Sequence, residues 1–216
     1  GMVELPEGKM KSREGTVVDA DDLIESMIET AKKTTEELGK IDNFESKEAN
    51  ALYHAIALGA LKYFILKVDP VKNMLFNPNE SIDFNGNTGP FIQYTHARIR
   101  SLIKRSGLEN LDEKTPALSV VEGSNISILD KEKQILMLLH DFPSIVKQAG
   151  DNYSPALIAN YAFDLAKEFN GFYQDIPVLK EENQNLREFR LALSKFTADV
   201  LKNALGLLGI TAPERM

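Results

Sequence analysis

Apolar residues recur at intervals of three and four along most of the chain, a spacing that places them on one face of an α-helix. The longest such stripe predicts a final helix over Lys180–Leu208. Its predicted core-facing positions are Leu186, Phe189, Leu193, Phe196, Val200, Ala204 and Leu207. Because similar stripes joined by short connections cover much of the remaining sequence, the chain is predicted to be an all-α bundle of about five to seven helices.

Residues that cap helices mark where the predicted helices begin and end. Asp19 is placed to cap a first helix, and Gly39 to end it. Pro90 suits the first turn of a central helix that ends at Gly107. Further helices are predicted over 46–61, 130–140 and 154–173, with a short separate one from Phe142-Pro143. Two segments stay ambiguous: 62–68 is a helix continuation or a strand, and 71–89 a loop or a hairpin.

The first 18 residues differ from the rest of the chain. They read GMVELPEGKMKSREGTVV and are rich in charge and turn residues. A segment of this length cannot bury a core of its own. We therefore expect 1–18 to be an irregular remnant of a larger unit and 19–216 to form the helical domain.

Composition excludes several kinds of chemistry. The 216 residues include no cysteine, so disulfides, iron–sulfur clusters and thiol nucleophiles are excluded. The three histidines lie far apart, and no metal site is predicted. The apolar runs are shorter than a membrane span and no signal-peptide pattern is present, so a cytoplasmic protein without a membrane partner is expected. The net charge of −7 argues against a surface that is basic throughout.

One segment reverses this acidic balance. Between Asp83 and Glu109 the chain has no acidic residue. On a helix, one sector of about 80° would hold an aromatic and basic set, namely Phe91, Tyr94, Arg98, Ser101 and Arg105. A different side would hold the apolar set Ile92, Thr95, Ile99, Leu102 and Ile103. Rings for base stacking among guanidinium groups suit single-stranded RNA, whereas the alternative is a solvated basic face with two aromatics that cover the core.

A second basic segment is Lys9–Arg13, bracketed by Gly8 and Gly15. Three cations in a glycine-bracketed loop can gather around a polyphosphate, because glycine lets backbone N–H groups approach its oxygens. The alternative is an exposed turn whose cations pair with neighbouring glutamates.

Three stretches together resemble class I arginyl-tRNA synthetases. KMKSREGTVVDADDL resembles the KMSKS-type signature loop of that family, and GNTGPFIQYTHARIRS resembles its G-D-T-G-P-Y-L-Q-Y-A-H-x-R motif. LKNALGLLGITAPERM resembles its C-terminal ending. The resemblance covers essentially the whole chain and implies the helical anticodon-binding fold of the DALR type from Asp19 onward.

The same resemblance implies an ATP-dependent, AMP-forming arginine–tRNA ligase, monomeric at full length. Lys9, Lys11 and Arg13 would offset charge on the leaving pyrophosphate, with Met10 and Ser12 in the same ATP loop and Mg²⁺ accompanying the nucleotide. Lys11 and Ser12 depart from the KMSKS pattern. The HIGH-type motif and the arginine pocket would precede Gly1, so the chain is expected to be a C-terminal fragment that holds no tight cofactor and does not aminoacylate by itself.

For the RNA partner, tRNA(Arg), the resemblance implies contacts from Phe91, Gln93, Tyr94, Arg98, Arg105, Phe169, Tyr173 and Met216. The pattern itself favours core packing for Phe169, which lies on an apolar stripe, and leaves Tyr173 at the edge of that stripe. It also favours helix packing for His96. Two alternatives remain open at this stage: a stand-alone helical interaction module, and a small ATP-using enzyme built on Lys9–Arg13.

Overall fold

The chain folds into a helical bundle. The computed structural model describes residues 1–4, 19–39, 44–107 and 127–216. Within these ranges the helices are α1 (Ala20–Glu37), α2 (Ser46–Leu66), α3 (Pro78–Ser81), α4 (Gly89–Ser106), α5 (Asp130–Asp151), α6 (Pro155–Asp175) and α7 (Gln184–Leu207). Two short strands, β1 (Val3–Glu4) and β2 (Met74–Leu75), pair in parallel. The predicted all-α architecture is confirmed.

Local capping chemistry fixes the ends of α1 and α4 where the sequence predicts them. The Asp19 carboxylate accepts a hydrogen bond from the backbone N–H of Asp21 at 2.9 Å. The Thr88 hydroxyl accepts one from the N–H of Phe91 at 3.2 Å. Gly107 ends α4 with φ of 73°, a left-handed conformation that favours glycine.

Several helix boundaries differ from the sequence prediction, and α7 begins at Gln184 rather than at Lys180. Helix α2 continues to Leu66, which resolves most of the ambiguous 62–68 segment as helix. Helix α5 runs unbroken through Pro143, although a new helix was expected there. Packing on α6 holds the turn that precedes this proline, because the Tyr161 hydroxyl donates to the Leu138 carbonyl at 2.9 Å and its ring stacks on Phe142 at 5.2 Å.

Helix α4 lies at the centre of the bundle, in contact with α2, α6 and α7. The apolar set predicted to face inward is buried, as expected: Ile92, Thr95, Ile99, Leu102 and Ile103. Gly59 and Gly89 let α2 and α4 cross in contact, since a Cβ at Gly89 would lie 2.4 Å from the Gly59 carbonyl oxygen. Helix α4 is therefore fixed from several sides, and its partly exposed face is held rigidly.

The predicted stripe on α7 is wrong at two positions. Phe196 is 55% exposed and Leu207 is 59% exposed. The buried arc of α7 instead extends over Ser194 and Thr197, which are fully buried. Their hydroxyls donate to the carbonyls of Arg190 and Leu193 at 2.7 and 2.8 Å, so they can be buried without unsatisfied groups.

Helix α2 is the one helix of the described ranges with the length and mean hydropathy, 1.2, of a membrane-crossing helix. Several of its residues are buried inside the bundle: Ala49, Leu52, Tyr53, Ile56, Ala57, Gly59, Ala60 and Tyr63. Its contacts with α1 and α4 therefore account for its apolar character.

Candidate nucleic-acid interface

A concavity of about 350 Å³ opens between α4, the end of α6 and the C-terminal residues. We call it the α4–tail groove, and it is lined by Tyr94, Ala97, Arg98, Ser101, Arg105, Tyr173, Arg215 and Met216. Five of the residues implied in RNA contact therefore lie around one site, although three separate parts of the chain supply them.

Arginine and tyrosine side chains alternate in the groove. The Arg98 guanidinium carbon lies 4.7 Å from the centre of the Tyr94 ring and 5.8 Å from that of Tyr173. An Arg105 guanidinium nitrogen donates to the Tyr173 hydroxyl at 3.3 Å. A cation over an aromatic face is attracted by the ring quadrupole, so these contacts orient the rings. Both tyrosines remain partly exposed, which leaves ring surface for a base to stack on.

A buried amide orients the central arginine. Asn170 on α6 is 9% exposed, and its carbonyl oxygen accepts a hydrogen bond from Arg98. The amide nitrogen of Asn170 donates to the Thr95 hydroxyl at 2.8 Å, which in turn donates to the Phe91 carbonyl at 2.9 Å. The sequence analysis missed Asn170. The sequence feature that could have indicated Asn170 is its position as a lone amide between Phe169 and Phe172 on an apolar stripe.

Phe91 lies beside the groove rather than in it. It is half-buried, and its ring centre is 5.5 Å from that of Phe163. It lines a neighbouring concavity together with Tyr94, Arg98 and Asn170. Tyr94 and Arg98 border both concavities, so Phe91 is adjacent to the groove through them.

Gln93 and Phe169 require a correction, because both are 0% exposed and neither can contact RNA directly in this structure. The Phe169 ring stacks on Tyr173 at 6.2 Å and supports it from the core, as its position on the apolar stripe indicates. The Gln93 amide nitrogen donates to the carbonyls of Ala55 and Thr211 at 2.9 and 2.8 Å. Gln93 is buried because the C-terminal residues return across α4 and cover it.

The tail, Leu208–Met216, places its last two residues at the groove. Arg215 lies with its guanidinium carbon 4.0 Å from the centre of the Phe44 ring and donates to Glu48 at 2.7 Å. Met216 is half-buried and packs against the apolar cluster of α1 and α2. The end of the chain is therefore an ordered wall of the groove.

The groove has a local positive charge within an acidic chain. Its lining includes three arginines and no acidic residue. Glu214, just outside it, pairs with Arg100 and Lys202 at 2.5 and 3.0 Å. Burial raises the pKa of Glu214, but the hydrogen bonds and charges of Lys202 and Arg100 together hold it below its usual value. Glu214 therefore stays ionised and offsets part of the positive charge of those two cations.

The predicted ATP loop comprises five residues near the start of the sequence. Lys9, Met10, Lys11, Ser12 and Arg13 lie outside the described residues. Across the described part of the chain, no three His, Asp or Glu side chains are grouped to hold a metal ion.

Residues 92–216, which include most of the lining of this groove, match the model of the DALR anticodon binding domain. The chain belongs to that family. Over its whole length it is 58% identical to the arginine–tRNA ligase of Phocaeicola vulgatus and 56% identical to that of Bacteroides thetaiotaomicron. It spans 35% of the length of each of these relatives.

Solved structures agree with this assignment. Arginyl-tRNA synthetase of Thermus thermophilus superposes with a TM-score of 0.85 at 30% identity, over 100% of this chain and 34% of that one. The Plasmodium falciparum enzyme superposes with a TM-score of 0.77 at 25% identity, over 100% of this chain and 35% of that one. The resemblance to arginyl-tRNA synthetases inferred from the motifs is confirmed.

Proposed function

We propose that this chain binds the anticodon arm of an arginine-accepting tRNA as part of an arginine–tRNA ligase. The observation that carries the proposal is the α4–tail groove, in which Arg98 lies against both Tyr94 and Tyr173. The anticodon is single-stranded, so its bases are free to stack on such rings. The similarity to arginine–tRNA ligases over the whole chain supports this choice of RNA.

Two kinds of interaction in the groove would contribute to the binding free energy: stacking of bases on the tyrosines and attraction of phosphates to the arginines. A base that stacks on Tyr94 or Tyr173 gains about 1–3 kcal/mol. Arg98 and Arg105 supply guanidinium groups, whose fork of N–H donors matches phosphate oxygens. The two tyrosines are already oriented by these arginines, so little side-chain entropy is lost when RNA binds.

For the whole protein, we propose ATP-dependent formation of arginyl-adenylate followed by transfer of arginine to the tRNA, in the cytoplasm and as a monomer. Lys9, Lys11 and Arg13 would stabilise the charge that grows on pyrophosphate, with Mg²⁺ bound to the nucleotide. About two thirds of each relative lies outside the matched region, and we propose that arginine activation depends on it. Residues 1–18 belong with that catalytic part, and 19–216 form the RNA-binding part.

The proposal is tested by measuring the affinity of a fluorescent tRNA(Arg) transcript for the chain and for Tyr94→Ala over a salt series. Loss of the ring is expected to weaken binding by about 1–3 kcal/mol, or roughly fivefold to 150-fold, while Tyr94→Phe retains most of it. Affinity should fall as salt rises, because phosphate contacts release counterions.

Tyr153→Ala is the matched control. Tyr153 is 90% exposed and precedes α6, whereas Tyr173 lies near the far end of that helix, roughly 27 Å away along its axis. Its removal should leave the affinity unchanged. Wild-type affinity in Tyr94→Ala, or equal and salt-insensitive binding of an unrelated RNA, would rule out the proposed site.

A further inference from the structure

Three side chains on one side of α4 hold the tail. The Gln93 amide nitrogen donates to the Thr211 carbonyl at 2.8 Å, and His96 Nδ1 donates to the Pro213 carbonyl at 2.8 Å. Arg100 Nε donates to the Glu214 carboxylate at 2.5 Å. Residues three and four apart on a helix are neighbours, so these donors form one row along α4. They meet the tail in the order of its sequence.

The donor side chains of the first two contacts are buried, whereas the tail residues that accept from them are partly or largely exposed. Gln93 is 0% exposed and His96 is 1% exposed. A carbonyl oxygen can only accept, so Nδ1 must carry the proton and the ring is held in a single tautomer. If its donor is removed, the Pro213 carbonyl loses the hydrogen bond that holds it beside α4, and this part of the tail is free to move into water.

The end of this row lies next to the groove. Arg215 and Met216 follow Glu214 directly, and both line the α4–tail groove. The tail beyond Leu208 has no helix or strand to order it. Its course is fixed by side-chain contacts, including those of Lys62 with the Gly209 carbonyl and of Lys202 with Glu214.

We propose that Gln93, His96 and Arg100 are positioning residues of the RNA site, which fix the tail so that Arg215 and Met216 complete the groove before RNA arrives. This inference rests on the proposed function. None of the three needs to touch RNA. Their effect is preorganisation, since a tail ordered in the free protein does not have to be ordered during binding.

The central test replaces the His96 donor. His96→Leu removes the hydrogen bond and keeps apolar volume, and it is expected to weaken tRNA binding on the order of tenfold. His96→Asn places an amide N–H near the position of Nδ1 and should restore most of the affinity. If His96 only filled space, His96→Leu would bind tRNA more tightly than His96→Asn, because leucine fills an apolar site better than asparagine does.

A double-mutant cycle shows whether the effect passes through the tail. In a chain that carries Arg215→Ala and Met216→Ala, the groove has already lost its tail side chains. His96→Leu should then change affinity less than twofold, because positioning no longer matters. An undiminished tenfold loss in that background would overturn the inference.

A surface variant covers the case in which His96→Leu does not fold. Arg100→Gln removes a side chain that is 36% exposed, and it should weaken binding several-fold. Lys104→Gln is its control, since it removes one positive charge from the same helix at an exposed position. Equal effects of the two substitutions would mean that only overall charge matters, which contradicts positioning by Arg100.

Tyr94→Ala, measured beside these variants, separates the two proposals. If Tyr94→Ala weakens binding but His96→Leu and Arg100→Gln do not, the groove binds RNA and the positioning role is wrong. If neither Tyr94→Ala nor the tail variants change the affinity, the proposed RNA site itself fails.

Discussion

Replacement of Arg190 by leucine is expected to destabilise the bundle strongly. Arg190 on α7 is 4% exposed and donates to Glu132 on α5 at 2.7 Å and to Glu181 at 2.5 Å. Glu132 is 0% exposed, and without Arg190 the one partner left to its carboxylate among the described residues is the N–H of Leu129 at 2.7 Å. Removing one partner of a buried pair costs about 3–5 kcal/mol, because the other charge is left uncompensated.

Thermal unfolding followed by circular dichroism measures this cost. For a chain of this size, each kcal/mol shifts Tm by about 2–4 °C, so Arg190→Leu should lower Tm by roughly 6–20 °C. The double variant Glu132→Leu with Arg190→Leu should recover much of the loss, because it removes the buried charge as well as its partner.

Arg187→Leu is the control, at a partly exposed position one turn earlier on α7 and outside this ion-pair cluster. It should change the free energy of unfolding by no more than about 0.5 kcal/mol. An Arg190→Leu variant that melts within 2 °C or so of the wild type would refute the reasoning, because the buried carboxylate would then have found another way to be satisfied.

Two further predictions concern packing and pH. Gly89→Ala should lower the free energy of unfolding by about 1–3 kcal/mol through overpacking, because the new Cβ would meet the Gly59 backbone. Gly206→Ala is the control, since a Cβ there has nothing within 4 Å, and it should raise the free energy of unfolding by up to about 1 kcal/mol. Chemical denaturation of both variants measures the two changes. Burial lowers the pKa of His96 below its ordinary value of 6.5, and Arg100 and Lys202 add to this, while the Pro213 hydrogen bond and Glu214 oppose it. Below pH 6.5 the unfolded chain therefore binds more protons than the folded chain, and the free energy of unfolding should fall by at most about 1.4 kcal/mol for each pH unit of acidification. Thermal melts from pH 7.5 to 5.5 measure this slope, and His96→Asn should remove it.

Helix ends were predictable because capping is local chemistry. Asp19, Thr88 and Gly107 act on N–H and C=O groups within a few residues of themselves, so the sequence alone contains the information. The basic and aromatic side of α4 was predictable for the same reason, since helix geometry sets which side chains share a face.

The failures concern contacts that depend on distant parts of the chain. Phe196 is on an apolar stripe but exposed, because the neighbours of α7 bury an arc that includes Ser194 and Thr197 instead. Gln93 belongs to a motif that resembles an RNA-binding one, yet a tail 118 residues further along covers it. Local periodicity cannot show which face of a helix a distant segment will occupy.

The positive charge of the α4–tail groove comes from two arginines whose partners, within the part of the chain that the structure describes, are neutral. Arg98 contacts Asn170 and the rings of Tyr94 and Tyr173, and Arg105 contacts Tyr173 and its own helix. The groove's third arginine, Arg215, pairs with Glu48, as do Arg100 and Lys202 with Glu214.

A cation that is paired with a carboxylate must break that pair before it can bind phosphate, and the gain from binding is then reduced. A cation that is held by an amide or a tyrosine loses much less interaction energy when it turns to a phosphate. The salt dependence of RNA binding should therefore follow Arg98 and Arg105 rather than the net charge of −7, since exposed charges more than about 8–10 Å away are screened at physiological salt. An acidic chain can thus offer a site for a polyanion, because its acids pair with Arg100, Lys202 and Arg215, whereas Arg98 and Arg105 have neutral partners among the described residues.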